Sequence, residues 1–130
     1  MNADDLKKRL KSFALRIIKL SESLPNNITG KTIGYQIIRS GTSPGANYRS
    51  ACLGKSDKDF LNKLKMVEEE LDETLYWLEL LVESGLIKEN LIDDLMKENL
   101  ELLKIIVSSI TTMKKKLNSK KDSSERNSKL

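Results

Sequence analysis

Arg39-Ser-Gly-Thr-Ser-Pro-Gly-Ala-Asn-Tyr-Arg49 is the stretch that decides how this chain is put together. Read alone, Gly-Thr-Ser-Pro-Gly is a loop, because Pro44 has no backbone donor and Ser43 before it is pushed away from the α region. The flanks, Ile33 to Ile38 and Ala51 to Leu53, still read as helical. That supports a second reading, a kinked helix lined by the small residues Ser40, Gly41, Ser43, Gly45 and Ala46. Apolar helical spacing on both sides favours this version and predicts a helix from near Lys31 through Pro44 to Gly54. Gly34, Ile37 or Ile38, Gly41, Gly45, Tyr48 and Cys52 then share a side that is poor in bulk. Glycine in a helix costs up to about 1 kcal/mol relative to alanine, a loss that only close packing offsets.

Working outward, Leu6, Leu10, Phe13, Ile17, Leu20 and Leu24 recur at fours and threes. They predict a first helix over Asp4–Leu24, started by Asn2 or Asp4 and ended by Pro25. On the other side, Ser56 is placed as an N-cap with Asp59 three residues on. Phe60, Leu64, Val67, Leu71, Leu75, Leu78 and Val82 then draw a stripe widened by Leu61, Trp77 and Leu81, and Ser84-Gly85 stops this third helix. A fourth begins near Lys88 and continues to Leu117. Its apolar residues, among them Leu100, Leu103, Ile105, Ile106 and Val107, spread around too much of the circumference for one groove, which suggests self-association. From Asn118 onward there is no periodicity. The expected organisation is a four-helix bundle over residues 1–117 and a disordered basic tail over 118–130. Short connections make the bundle all-α and up-down-up-down.

Composition narrows the function. The chain of 130 residues has no histidine and one cysteine, Cys52, which argues against zinc sites, Cys-His nucleophiles and internal disulfides. Neither a signal peptide nor a membrane-spanning run is visible, so a soluble, cytoplasmic protein is expected. The net charge of +4 conceals blocks of +3 (1–24), +5 (25–66), −9 (67–113) and +5 (114–130). The acidic block is expected to neutralise basic neighbours, within the fold or in a partner subunit.

Three segments together carry a family resemblance: Ile38 to Arg49, Ser56-Asp-Lys-Asp-Phe-Leu-Asn-Lys-Leu64, and Glu70-Leu-Asp-Glu-Thr-Leu-Tyr-Trp-Leu-Glu-Leu-Leu81. Over roughly residues 6–117 the chain resembles the four-helix-bundle family encoded in intervening sequences of 23S ribosomal RNA genes. That family is similar to the accessory variability protein of diversity-generating retroelements, a basic barrel that works with a reverse transcriptase and nucleic acid. The resemblance implies a homopentameric ring of bundles, with Ser43 to Asn47 inside the second helix. Pro44-Gly45 departs from the family's commoner version.

No nucleophile with a base, glycine-rich phosphate loop or metal-ligand spacing is present, so neither enzymatic activity nor a cofactor is expected. Glu68, Glu69, Glu70, Asp72 and Glu73 point in different directions on one helix and read as a solvated face. Arg39, Asn47 and Glu73 are expected to form a largely buried, mutually satisfied network. Lys55, Lys58, Lys63 and Lys65, with Lys114, Lys115, Lys116, Lys120 and Lys121, are the candidate contacts to RNA or DNA phosphates. In the alternative, the protein is a structural or adaptor oligomer with a protein partner, and the lysines serve solubility. Ring closure, acidic block on basic block, would bury the apolar excess of the fourth helix, Ile106 included.

Overall fold

The computed structural model describes the backbone of residues 1–128 and the side chains of residues 1–124. Among these residues there are four helices: α1 (Ala3–Glu22), α2 (Ile28–Cys52), α3 (Asp57–Glu83) and α4 (Glu89–Ser128). Each packs on the next in sequence while α1 touches α4 least, giving an up-down bundle with one looser seam. The capping chemistry explains the boundaries. Asn2 accepts from the Asp5 amide at 2.9 Å and Asp5 returns the bond, a reciprocal capping box. Ser56 accepts from the Asp59 amide at 3.1 Å, as the sequence predicts. Gly85 ends α3 in the left-handed region at φ +76°, a conformation that suits glycine.

α2 is helical through Pro44. It starts three residues earlier than expected, because the Asn27 side chain caps it by accepting from the Gly30 amide at 2.8 Å. The small-residue stripe faces α1. A Cβ at Gly41 would stand 2.8 Å from the Ile17 side chain, at Gly34 3.4 Å from Leu24, and at Gly45 3.6 Å from Leu10. Missing side chains on α2 are thus replaced by large ones on α1 and, at Gly34, by Leu24 just beyond its end. The hydroxyls of Thr42 and Ser43 donate to the carbonyls of Ile38 and Arg39, four residues back, in the turn whose hydrogen bonding Pro44 interrupts.

Three sequence readings need correction. The core line of α3 is Leu61, Leu64, Val67, Leu71, Thr74, Leu78 and Leu81, whereas Phe60, Leu75 and Val82 are only half-buried. α3 lies between α2 and α4, so its buried arc keeps Leu64, Val67, Leu71 and Leu78 of the main stripe and takes in Leu61, Thr74 and Leu81, while Trp77 stays half-buried. In α4, Ile92, Leu95, Leu102, Ile106 and Ile110 are core, and the outward apolar positions are Leu91 (72% exposed), Leu100 and Val107 (43% each). Ile106 is therefore part of the bundle interior and not of an outer face. Finally, α4 stays helical to Ser128 where a disordered tail from 118 was expected, and residues 129–130 lie outside those described. No glycine or proline interrupts the chain after Gly85, and Lys116 and Lys120, one turn apart, both reach Asp57 at the start of α3.

Candidate nucleic-acid interface

In an up-down bundle the start of α1, the end of α2, the start of α3 and the end of α4 share one pole. Contacts fix this directly: Gly45 lies against Leu10, and Asp57 against Lys116 and Lys120. Residues 1–12, 42–65 and 108–124, which build the half of the bundle at this pole, hold fourteen basic and five acidic side chains. The rest, 13–41 and 66–107, holds seven basic and thirteen acidic ones. Charge that alternates in blocks along the chain is therefore sorted into a cationic and an anionic half by folding.

The two predicted lysine clusters meet at the cationic pole. Lys55, Lys58 and Lys65 are exposed and Lys63 is half-buried, while Lys114, Lys115 and Lys121 are exposed on α4. Lys116 and Lys120 differ from these, since they pair with Asp57 at 3.4 and 2.5 Å. The Lys120 hydrogen bond, with Lys116 alongside, holds the Asp57 carboxyl below its usual range. What this pair adds to stability is present above the ordinary carboxylate pKa and is lost as pH falls through the lowered one. The pairing ties the end of α4 to the bundle and removes two cations from the free set.

Lys7, Lys8, Lys11 and Arg49 also stand at this pole and were not among the sequence candidates. They line a groove of about 570 Å³ between α1 and α2. The available signal was topological: an α1–α2 hairpin places the first turns of α1 beside the last turns of α2.

The expected network of Arg39, Asn47 and Glu73 takes a different form. Arg39 forms ion pairs with Glu73 and, at 3.4 Å, with Glu70; its Nε donates to Gln36 at 3.3 Å, and Trp77 Nε1 donates to Glu73 at 3.0 Å. The Arg39 side chain is 41% exposed and that of Glu73 37% exposed, so this is a rim cluster and each pair contributes at most ~1 kcal/mol. Asn47 makes no side-chain hydrogen bond to it among the described residues, because eight residues of helix carry it about 12 Å along the axis from Arg39. The fully buried polar residues are Ser40, Thr74 and Asn99. Ser40 and Thr74 share a hydroxyl hydrogen bond at 2.9 Å, and Thr74 also donates to the Glu70 carbonyl at 2.7 Å. Neither the side-chain nitrogen nor the oxygen of Asn99 has a partner among the described residues. Spacing could have flagged both, since Thr74 falls between Leu71 and Leu78, and Asn99 between Leu95 and Leu102, on the core rows.

The carboxylates of α3 fan outward, and among the described residues no group of three or more His, Cys, Asp or Glu side chains is placed to hold a metal ion. Burial, with the neighbouring Cys52 adding to it, pushes the Tyr48 phenol up to about 12, which keeps it protonated at neutral pH. No described helix is long and apolar enough to cross a membrane.

Four sequential helices, an α2 seam of small residues and a cationic pole define a small basic up-down bundle. The chain belongs to the 23S rRNA-intervening sequence protein family, whose sequence model matches residues 4–108. It is similar to a protein of unknown function from the S23 ribosomal protein family of Bacteroides thetaiotaomicron, known from a crystal structure. The two are 38% identical with a TM-score of 0.76, over 81% of this chain and 97% of that one. No curated protein matches the chain.

Proposed function

We propose that the protein is a non-enzymatic, homo-oligomeric bundle that binds RNA or DNA through its cationic pole. The observation that carries this reading is the sorting of charge by folding: three separate basic segments converge on one end, where most of their cations have no carboxylate partner among the described residues. Lysines spread over convex helix ends suit phosphates and carry no base-specific readout, so binding should be tolerant of sequence and steeply salt-dependent. The family's name supports ribosomal RNA as the first nucleic acid to try, and the resemblance to the accessory variability protein makes a reverse transcriptase a candidate protein partner.

The test is fluorescence anisotropy with labelled RNA and DNA oligonucleotides from about 50 to 200 mM salt. Neutralising Lys55, Lys58, Lys63 and Lys65 together with glutamine should weaken duplex binding at least ~tenfold at the low end. It should also flatten the log–log salt slope by about 3 to 4, near one unit for each phosphate that loses its cation. A wild-type protein that binds no oligonucleotide at about 50 mM salt would sink the reading.

Assembly belongs to the same proposal. Leu91, Leu100 and Val107 on α4 and Ile28 (83% exposed) and Tyr35 (71% exposed) on α2 leave apolar surface uncovered in the single chain. Subunits meeting head to tail through these faces of α2 and α4, acidic surface on basic surface with the lysine clusters of the pole left outside the contact, would cover it in a closed ring, and the family resemblance supports a pentamer. Repetition of the cationic pole then turns weak phosphate contacts into avidity. The same exposed residues favour the adaptor reading as runner-up. Oligomers by light scattering without any salt-sensitive nucleic-acid binding would select that alternative.

A further inference from the structure

We infer that the groove between α1 and α2 is a seat for one sugar-phosphate strand, so that the protein prefers single-stranded nucleic acid there. This rests on the nucleic-acid reading above and deepens it by naming a site and a strand state. The groove walls carry four cations, Lys7, Lys8 and Lys11 from α1 and Arg49 from α2, against one carboxylate, Asp4, with the Thr42 hydroxyl beside them. Lys7 faces Asp4 at 3.8 Å, whereas Lys8, Lys11 and Arg49 are exposed and form no ion pair among the described residues. Its floor is bare, made of Ala14, Gly45 and Ala46, so nothing bulky stands between the rows of charge. The bare floor is a by-product of the fold: the small residues that let α2 lie close on Leu10 and Ile17 continue onto the solvent side of the same helix.

Size selects the strand state. Adjacent helix axes lie about 8–10 Å apart, so the trough between them takes one backbone and excludes a duplex, which would straddle it. The span from Lys11 to Lys7 and Arg49 is little more than one helical turn, room for about two phosphates in the trough, with the ends extending past it. Beyond Arg49, α2 ends at Cys52 and the chain turns into Lys55 and Lys58, so a strand leaving the groove runs onto the exposed lysines of the pole. No aromatic side chain lines the groove, so bases are not stacked and discrimination among sequences is weak. An acidic amphipathic helix shares the charge complementarity, and its docking would show as variants that leave oligouridine binding unchanged.

The experiment measures an end-labelled oligouridine and an RNA duplex of equal length against the full chain by anisotropy across the same salt range. Two variants are compared with wild type: Lys8→Gln/Lys11→Gln/Arg49→Gln, and Ala46→Leu, which fills the floor without changing charge. Both lie on exposed positions, and thermal melts confirm that they fold. The triple variant should bind oligouridine at least ~tenfold more weakly, with a salt slope shallower by about 1.4, given two phosphates at roughly 0.7 each for a single strand. Ala46→Leu should cost about fivefold or more on oligouridine while leaving the duplex unchanged, as expected when steric access and not charge is removed. If wild type binds and both variants match it in affinity and slope, the groove is not the seat and the pole reading survives alone. If the variants alter the particle mass by light scattering but not oligouridine binding, the groove seats another copy of the chain and the inference is overturned. Absence of wild-type binding to either probe at about 50 mM salt removes the groove and the function reading together.

Discussion

Asn99→Leu is expected to stabilise the protein by about 2–3 kcal/mol, a rise in Tm of roughly 10 °C for a chain of this length. Asn99 is fully buried, and neither its amide nitrogen nor its oxygen has a partner among the described residues. Burying an unpaired amide costs about 1–3 kcal/mol, and a leucine of similar volume would add favourable apolar burial beside Leu95 and Leu102. Asn99 is ten residues from the start of α4, and Thr74 nine from the end of α3, so both lie about 14–15 Å from the α3–α4 turn. Ser40, hydrogen-bonded to Thr74, joins them, and the three buried polar residues occupy one level of the bundle. Urea unfolding of the wild type and variant measures the effect. A loss of stability beyond about 1 kcal/mol would mean that Asn99 is hydrogen-bonded in solution, with an internal water as the partner to look for.

Gly30→Ala should do the reverse, lowering stability by about 3 kcal/mol. A Cβ on Gly30 would fall on the Pro25 carbonyl oxygen, inside van der Waals contact, and the obstacle is backbone, which a rotamer change cannot move. Relieving the clash opens the turn at residues 25–27, and with it the Asn27 cap, whose acceptor bond is to the Gly30 amide itself. Gly45→Ala is the matched control. Its Cβ meets Leu10 at 3.6 Å, an ordinary contact, so the gain in helix propensity should leave it neutral or up to about 1 kcal/mol more stable. Equal effects from the two substitutions in denaturant melts would show that the close approach at Gly30 is not rigid.

Much of the fold was legible in the residues. Leu6, Leu10, Phe13 and Ile17 recur with the helical period, Ser56 and Asp59 carry the start of α3, and Gly85 carries its end. The α2 stretch through Pro44 was legible only by its flanks, since proline's local preference opposes a helix and the packing of Gly41 and Gly45 on α1 outweighs it. Of the candidate site, the sequence pointed to Lys55, Lys58, Lys63 and Lys65 and to the lysines of α4, because runs of like charge are visible in one dimension.

Periodicity and capping are local chemistry, expressed within a few residues, and so the sequence by itself determined the four helices, their order and most of the residues on their inward faces. Tertiary structure decided which chemistry those helices bring together. Only packing places Lys7, Lys8 and Lys11 across a groove from Arg49 and draws Lys116 and Lys120 onto Asp57. It also seals Asn99 away from water. Each of these depends on the axial offset and rotation of one helix against another, which is set by the summed fit of side chains such as Ile17 on Gly41 and Leu10 on Gly45. That sum runs over contacts between residues far apart in the chain, and no single segment contains it.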